Sequence, residues 1–302
     1  MRHELKRQSV MLHQSQAKAQ EIKARLGETP QSLDMRLADH CRHIDHRLGE
    51  VDATLTAFSQ YLDILTTEHA NFTPPPPRHL QERVVGGYSP KFIASGDNTY
   101  QAFHALLENN GRSFSEFRTV LDFGCGCGRI IRGLKRAQPN IDFHGADIDA
   151  EAIAWLQQNY GKFGAFRPLP HRPPTSYDDG TFDFIYGISV FTHLPEDMQF
   201  EWLAELARIA KPGALLLLTT HGQKHWGRFA GEEAEIMKKH GFYYREAART
   251  DGLPEFYKNT YHAHGYIRDR WSQFFNIIGI VELGLEAHQD VVLATRGRRE
   301  MA

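Results

Sequence analysis

Hydrophobic positions near the start of the chain fall at Leu37, Cys41, Ile44, Leu48, Val51, Leu55, Phe58, Leu62 and Leu65. The steps alternate four and three without a miss, a heptad seam that predicts a coiled coil. Leu-rich a positions (Leu48, Leu55, Leu62) with β-branched residues at some d positions (Ile44, Val51) lean toward three or four strands rather than two. A weaker seam precedes it at Leu5, Leu12, Ala19, Ile22 and Leu26. Gly27 to Ser32, with Pro30, breaks the two, and Ser32 can cap the second helix. The seam therefore predicts a homo-oligomer through residues 33–68; the alternative is an antiparallel hairpin of the two helices within one chain.

The run Thr73-Pro74-Pro75-Pro76-Pro77 cannot continue a helix and predicts a stiff linker. Leu80 to Val85, a turn at Gly86-Gly87 and a helix over Asn98–Asn109 follow, across the entrance of the next domain. From Thr119 the pattern alternates. Strands are expected at Thr119–Phe123, Asp142–Ala146, Ala165–Arg167, Phe182–Gly187 and Ala214–Thr220. Helices between them are expected near Arg129–Ala137, Ala150–Asn159 and Pro195–Ile209. Such alternation means a parallel sheet with helices on both faces. A helix near Glu232–His240, an insertion through Tyr257 and a helix near Tyr266–Phe275 come next. Two closing strands, Ile277–Glu282 and Asp290–Thr295, can pair antiparallel. The predicted division is a helical coiled-coil segment at 1–72, a linker and entrance cap at 73–118, and an α/β domain at 119–302.

Composition changes this picture little. The chain has 302 residues, with 41% hydrophobic and 11% aromatic residues, enough for a globular core. With 35 basic and 37 acidic residues, the net charge of -2 provides no general attraction to nucleic acid or anionic membrane. Three cysteines (Cys41, Cys125, Cys127) without framework spacing suit a reducing compartment. The start lacks a secretory pattern, and the longest apolar run, about Ala214–Leu218, is too short for a membrane span. A cytoplasmic protein is expected. His40, His43 and His46 fall mostly on the outer face of the seam, with no acid or cysteine converging, and are expected to be solvated. No metal site is expected.

The chemistry gathers at Leu121-Asp122-Phe123-Gly124-Cys125-Gly126-Cys127-Gly128-Arg129. A strand runs into three alternating glycines and then a helix, which suits a ligand lying against the backbone at a helix N-terminus. A dinucleotide fingerprint needs a third glycine where Arg129 stands, and no Gly-Lys-Ser/Thr follows for a P-loop. Asp147 lies about 20 residues on, at the end of the second strand, where an acid accepts bonds from ribose hydroxyls. Cys125 and Cys127 are small turn residues with no partners for zinc.

These residues resemble the first motif of class I S-adenosylmethionine-dependent methyltransferases. Gly145-Ala146-Asp147-Ile148-Asp149 resembles their ribose-binding segment. The stretch from Phe182 to Leu194 resembles their fourth-strand motif, and Ala210-Lys211-Pro212-Gly213-Ala214 the turn before strand 5. The resemblance implies a Rossmann-like, mostly parallel seven-stranded sheet with an antiparallel last strand, and S-adenosylmethionine as cofactor. It implies that Gly124, Cys125, Gly126, Gly128, Ile188 and Ser189 lie against that cofactor, and that Asp147 holds the ribose. Ile148 would cover one adenine face and Leu169 the other. Asp122 would meet the ammonium or else orient the loop.

Methyl transfer is mostly alignment, and an oxygen nucleophile must also lose its proton, a task suited to histidine. His193, His221, His262 and His264 fall near strand ends. His193 and His262 are the candidate bases; for His193 an anchoring role is equally consistent. The Asn/Asp-Pro-Pro-Tyr/Phe motif of adenine and amide methylation is absent after strand 4. The expected acceptor is a small-molecule or glycan hydroxyl rather than nucleic acid. The competing readings are a non-catalytic assembly protein with a vestigial cofactor domain and a nicotinamide oxidoreductase.

Overall fold

The computed structural model describes residues 2–26, 30–67, 74–245 and 254–297, with side chains at 11–24, 34, 36–59, 74–245 and 254–297. It divides into two units, Met1–Thr67 and Glu68–Ala302. No helix among the described residues is long and apolar enough to cross a membrane.

The first unit is two helices, α1 (Arg2–Leu26) and α2 (Pro30–Thr67). Gln16 Nε2 lies 3.7 Å from Cys41 Sγ, and Lys23 pairs with Asp34. These contacts run in opposite sequence senses, so the helices meet as an antiparallel hairpin. The hairpin leaves part of the heptad seam uncovered: Leu48, Val51 and Phe58 stay 50%, 43% and 46% exposed. His40, His43 and His46 face solvent. Helix α2 already begins at Pro30, so Ser32 lies within it rather than at its cap; residues 27–29, Thr73 of the linker and the side chains of Leu5, Leu26, Leu62 and Leu65 lie outside the described residues.

The second unit begins with α3 (Arg78–Val85), which ends at Gly86 with φ 75°, a left-handed turn that glycine adopts without strain. Then come α4 (Phe92–Asn109), β1 (Thr119–Phe123), α5 (Ile131–Ala137), β2 (Asp142–Asp147), α6 (Ala150–Tyr160) and β3 (Ala165–Pro168). They are followed by β4 (Phe182–Gly187), α7 (Glu196–Ile209), β5 (Ala210–Thr220), α8 (Gln223–Trp226), α9 (Glu232–His240) and β6 (Phe242–Arg245). The chain closes with β7 (Asn259–His262), α10 (His264–Arg270), β8 (Asn276–Leu285) and β9 (Gln289–Thr295). Seven strands form one sheet in the order β3-β2-β1-β4-β5-β9-β8. Strands β1 to β5 are parallel, and β9 runs antiparallel to β5 and β8. This is the Rossmann-like α/β sheet expected, with its last strand reversed.

The core follows strand alternation. Val120, Phe184, Tyr186, Leu215 and Leu217 pack with α4, α5 and α6 through Phe103, Leu134 and Leu156. Leu121, Phe123, Ile185, Leu216 and Leu218 pack on the other face with Trp202 and Leu206 of α7 and with Trp271. Two covered faces explain why β1, β4 and β5 are nearly continuous hydrophobic runs.

Three boundaries differ from the sequence expectation. Helix α4 starts earlier, at Phe92, because Phe92 is itself buried. Its Gly96 passes so close to the Arg129 carbonyl that a Cβ there would lie 1.9 Å from the oxygen. Strand β5 takes in Lys211-Pro212-Gly213, with a register shift between Phe182 and Phe184 of β4. The insertion holds an unforeseen two-stranded sheet, β6 against β7, whose four-residue strands are too short to show a period.

Candidate active site

Strands β1, β2 and β4 end at one edge, and the turns that follow them wall a cavity of about 860 Å³, counting its open mouth. Ligands in such sheets bind beyond these carboxyl ends. The glycine turn forms the floor. Gly124, Gly126 and Gly128 have φ of 82°, 52° and 81°, and a Cβ on Gly124 or Gly126 would come within 2.3 or 2.5 Å of Val190 or Val84. Side chains there would both strain the backbone and displace neighbours.

The acid of the second strand is built into this turn. Asp147 Oδ2 accepts from the Gly126 amide at 2.6 Å, and Oδ1 accepts from the Asp149 amide at 2.8 Å. The carboxylate is thus held in one orientation at the cavity wall. Burial pushes its pKa up, against the two amides, which favour the charged form. Asp149 caps α6 by accepting from the Glu151 and Ala152 amides.

Of the predicted cofactor residues, Gly124, Gly126, Asp147, Ile148, Leu169, Ile188 and Ser189 line the cavity. Asp122, Cys125 and Gly128 do not. Asp122 is buried beneath the turn beside Tyr186, and burial raises its carboxyl to about 7. Cys125 is buried, its Sγ against Gly145, and burial pushes both turn thiols up, away from thiolate chemistry. Gly128 packs toward Leu156 and Tyr160. Ser189 adopts φ 56°, unusual for a side-chain-bearing residue, and is clamped there. Its amide donates to Thr219 Oγ1 at 2.8 Å, and its Oγ accepts from Gln289 Nε2 at 2.7 Å. Strand β4 is thereby tied to β5 and β9.

The candidate bases separate. His193 sits one layer behind the wall, stacked on Tyr257 at 4.0 Å between ring centroids, and Tyr257 lines the cavity. Its Nδ1 donates to the Lys258 carbonyl at 2.7 Å, leaving Nε2 as the acceptor, and burial lowers its pKa to about 4. His262 is placed elsewhere. It is fully buried, its Nε2 donates to Gln199 Oε1 at 2.9 Å, and it packs edge-on to Trp271. Neither histidine lines the cavity, but His193 is only part-buried behind one wall residue, whereas His262 has no exposed surface and is enclosed by Phe242, Tyr266 and Trp271, so the expectation that His262 serves as base is withdrawn. Its short strand β7 turns it inward, a fact that the sequence pattern does not carry.

Sequence reasoning missed much of the wall. Arg83 and Val84 of α3, His171, Phe256 and Tyr257 all border the cavity. Arg83 pairs with Asp149 at 3.0 Å and Glu151 at 2.7 Å. None of these residues belongs to a motif; the one signal was the expectation that the segment before β1 crosses the entrance.

The buried imidazoles impose a pH dependence. His193, His221 and His262 are lowered to about 4, 3 and 3, so each binds a proton on unfolding once the pH is below its ordinary value of about 6.5. Asp122 opposes this: raised to about 7, it holds a proton in the fold that the unfolded chain releases, and the upward shift of Asp147 acts in the same sense. The three histidines, with His288 lowered in the same sense, outweigh Asp122 even if Asp147 subtracts up to one proton more, so the unfolded state binds about one to two more protons. Stability is expected to fall on acidification from about pH 6.5 to about pH 4, by about 1.4–2.7 kcal/mol per pH unit. Urea unfolding across that window measures it, and a flat profile would contradict these protonation states.

Comparison with known proteins agrees with the geometry. Residues 121–216 match a protein-family model described as a methyltransferase domain. The chain is 29% identical over 116 residues to an uncharacterized protein of Haemophilus influenzae, covering 37% of this chain and 45% of that one. It is 25% identical over 122 residues to the tRNA N(3)-methylcytidine methyltransferase trm141 of Schizosaccharomyces pombe, covering 38% and 48%. It is 27% identical over 125 residues to a malonyl-[acyl-carrier protein] O-methyltransferase of Halalkalibacterium halodurans, covering 39% and 44%. The chain therefore spans about half the length of these curated relatives. The matching family model, together with the sheet whose strand β9 is reversed and with the glycine turn, marks residues 121–216 as a methyltransferase domain of the class I, S-adenosylmethionine-dependent kind.

Proposed function

We propose that this protein transfers a methyl group from S-adenosylmethionine to a hydroxyl of a small-molecule or glycan acceptor. The cavity lining fits the cofactor. Each Asp147 oxygen accepts one amide and keeps a second lone pair for a ribose hydroxyl. Ile148 and Leu169 offer apolar walls for the adenine, and the backbone of Gly124 and Gly126 allows close approach. Asp122 then acts from below, orienting the turn. When bound, the cofactor supplies a methyl group already activated on sulfonium; the chain supplies alignment and exclusion of water.

The observation that carries the hydroxyl reading is the neutral His193 beside the wall. With Nδ1 committed to Lys258, Nε2 is left to accept the acceptor's proton. Its lowered pKa makes it a weak base, so His193→Gln is expected to cut turnover by about 100-fold, the low end for a positioned base. One relative bears the name of a tRNA methyltransferase, which makes RNA the competing acceptor, although the net charge of -2 disfavours it. Labelled S-adenosylmethionine offered with hydroxylated small molecules, glycans and tRNA tests both. Label in the hydroxyl acceptors supports the proposal, and label in tRNA alone overturns it. Failure to bind the cofactor would remove the enzymatic reading altogether.

We also propose that the chain self-associates through residues 33–68, because Leu48, Val51 and Phe58 stay exposed on an unbroken heptad seam. Sedimentation should show an oligomer that the double substitution Leu48→Asp and Val51→Asp converts to monomer. A monomeric parent protein would end the idea.

A further inference from the structure

Beyond the cofactor cavity, the register of β5 against β9 brings together histidines that are far apart in sequence. Thr220 pairs with Asp290, so His221, just after β5, comes to lie beside His288, just before β9. The short helix α8 turns His225 back onto them, and Trp226 Nε1 anchors it to the His262 carbonyl at 2.9 Å. Ring centroids lie 4.5 Å apart for His221 and His225, 4.7 Å for His225 and His288, and 6.1 Å for His221 and His288. One ring nitrogen from each lies within 4.8 Å of the other two, the single such cluster among the described residues.

We propose that His221, His225 and His288 bind one divalent transition-metal ion of the zinc class. Three imidazoles suit zinc, copper, iron or nickel, and three protein ligands leave an open position for water or an oxygen of a bound molecule. The tautomers are already selected. His221 Nδ1 donates to the Thr260 carbonyl at 3.2 Å, and His225 Nε2 donates to the His288 carbonyl at 2.6 Å. Each of those two rings therefore keeps its other nitrogen as a lone-pair donor, oriented by a backbone carbonyl as metal-bound histidines are. Tetrahedral Zn–N bonds of about 2.0–2.1 Å need nitrogens about 3.3 Å apart, so the rings draw inward when the ion binds. His288 has the freedom to do so, being exposed on the β8–β9 turn. That turn holds Glu286 and Ala287 at φ of 52°, a cost borne by two residues that are not glycine.

The test uses the full chain, stripped with chelator and titrated with zinc by calorimetry at neutral pH. Cobalt provides a second readout through its visible absorption. One site with Kd below about 1 µM is expected. His288→Ala, on an exposed turn, should weaken it by at least about 100-fold, beyond what loss of an outer-shell partner costs. A triple change of His40, His43 and His46 to alanine should leave it intact, which separates it from adventitious binding to the helical hairpin. Absence of a site this tight, an unchanged affinity in His288→Ala, or loss in the triple variant alone would each overturn the proposal. None of these readouts depends on methyl transfer, so they stand apart from the proposed activity.

Discussion

Asp147→Ala is expected to weaken S-adenosylmethionine binding by at least about 100-fold. Two hydrogen bonds from ribose hydroxyls to a carboxylate are worth about 1.5–3 kcal/mol each, and both would go. The substitution also releases the Gly126 and Asp149 amides, which Asp147 holds at 2.6 and 2.8 Å, so the turn beneath the cofactor loses its brace. Asp147→Asn should fall between, since an amide retains one acceptor oxygen but turns an N–H group toward a backbone donor. Calorimetry with S-adenosylmethionine and its demethylated product measures both variants. Unchanged affinity in Asp147→Ala would show that the ribose is held elsewhere.

Gln199→Leu is expected to cost about 2–5 kcal/mol of stability, although the substituted side chain is close in size. Gln199 is fully buried, its Nε2 donating to the Phe191 and Leu194 carbonyls at 3.0 Å each, while its Oε1 accepts from His262. Thr260 Oγ1 still serves the Leu194 carbonyl, so the orphans are the Phe191 carbonyl and the His262 N–H. Each buried group left unpaired costs about 1–3 kcal/mol. Because Val190 and Leu194 line the cavity, the same change should also weaken cofactor binding. Urea unfolding that shifts by less than about 1 kcal/mol would show that this network does not hold the segment after β4.

The sheet was legible because its central strands are buried on both faces and its turns need glycine. β1, β4 and β5 are runs of Val, Leu, Ile and Phe, and Asp147 stands at the end of β2, where the cavity opens. Motif residues lie in local turns, so spacing alone places them. The acceptor side was not legible because contacts distant in sequence make it. His221, His225 and His288 meet only through the β5–β9 register, and Tyr257 reaches the wall only because the Thr192 and His193 carbonyls accept from the Thr260 and Lys258 amides. His262 misled for the same reason: a histidine two residues from another, in a loop-like stretch, proved to be a core residue of a short strand. The pairing of α1 with α2 rests on side chains such as Gln16 and Cys41, which no heptad count ranks above self-association.

Helix α3 covers the glycine turn by different forces from those that hold the turn itself. Val84 touches the turn, and Arg83 and His79 tie the helix down through Asp149 and Glu151 on partly exposed side chains. Exposed ion pairs fade as ionic strength rises, with a screening length of about 10 Å at 0.1 M salt, whereas the turn is held by short bonds to Ala146 and Asp147 that salt barely touches. Ionic strength should therefore loosen the cover while leaving the floor intact, and the rate at which cofactor exchanges becomes separable from how tightly its ribose is gripped.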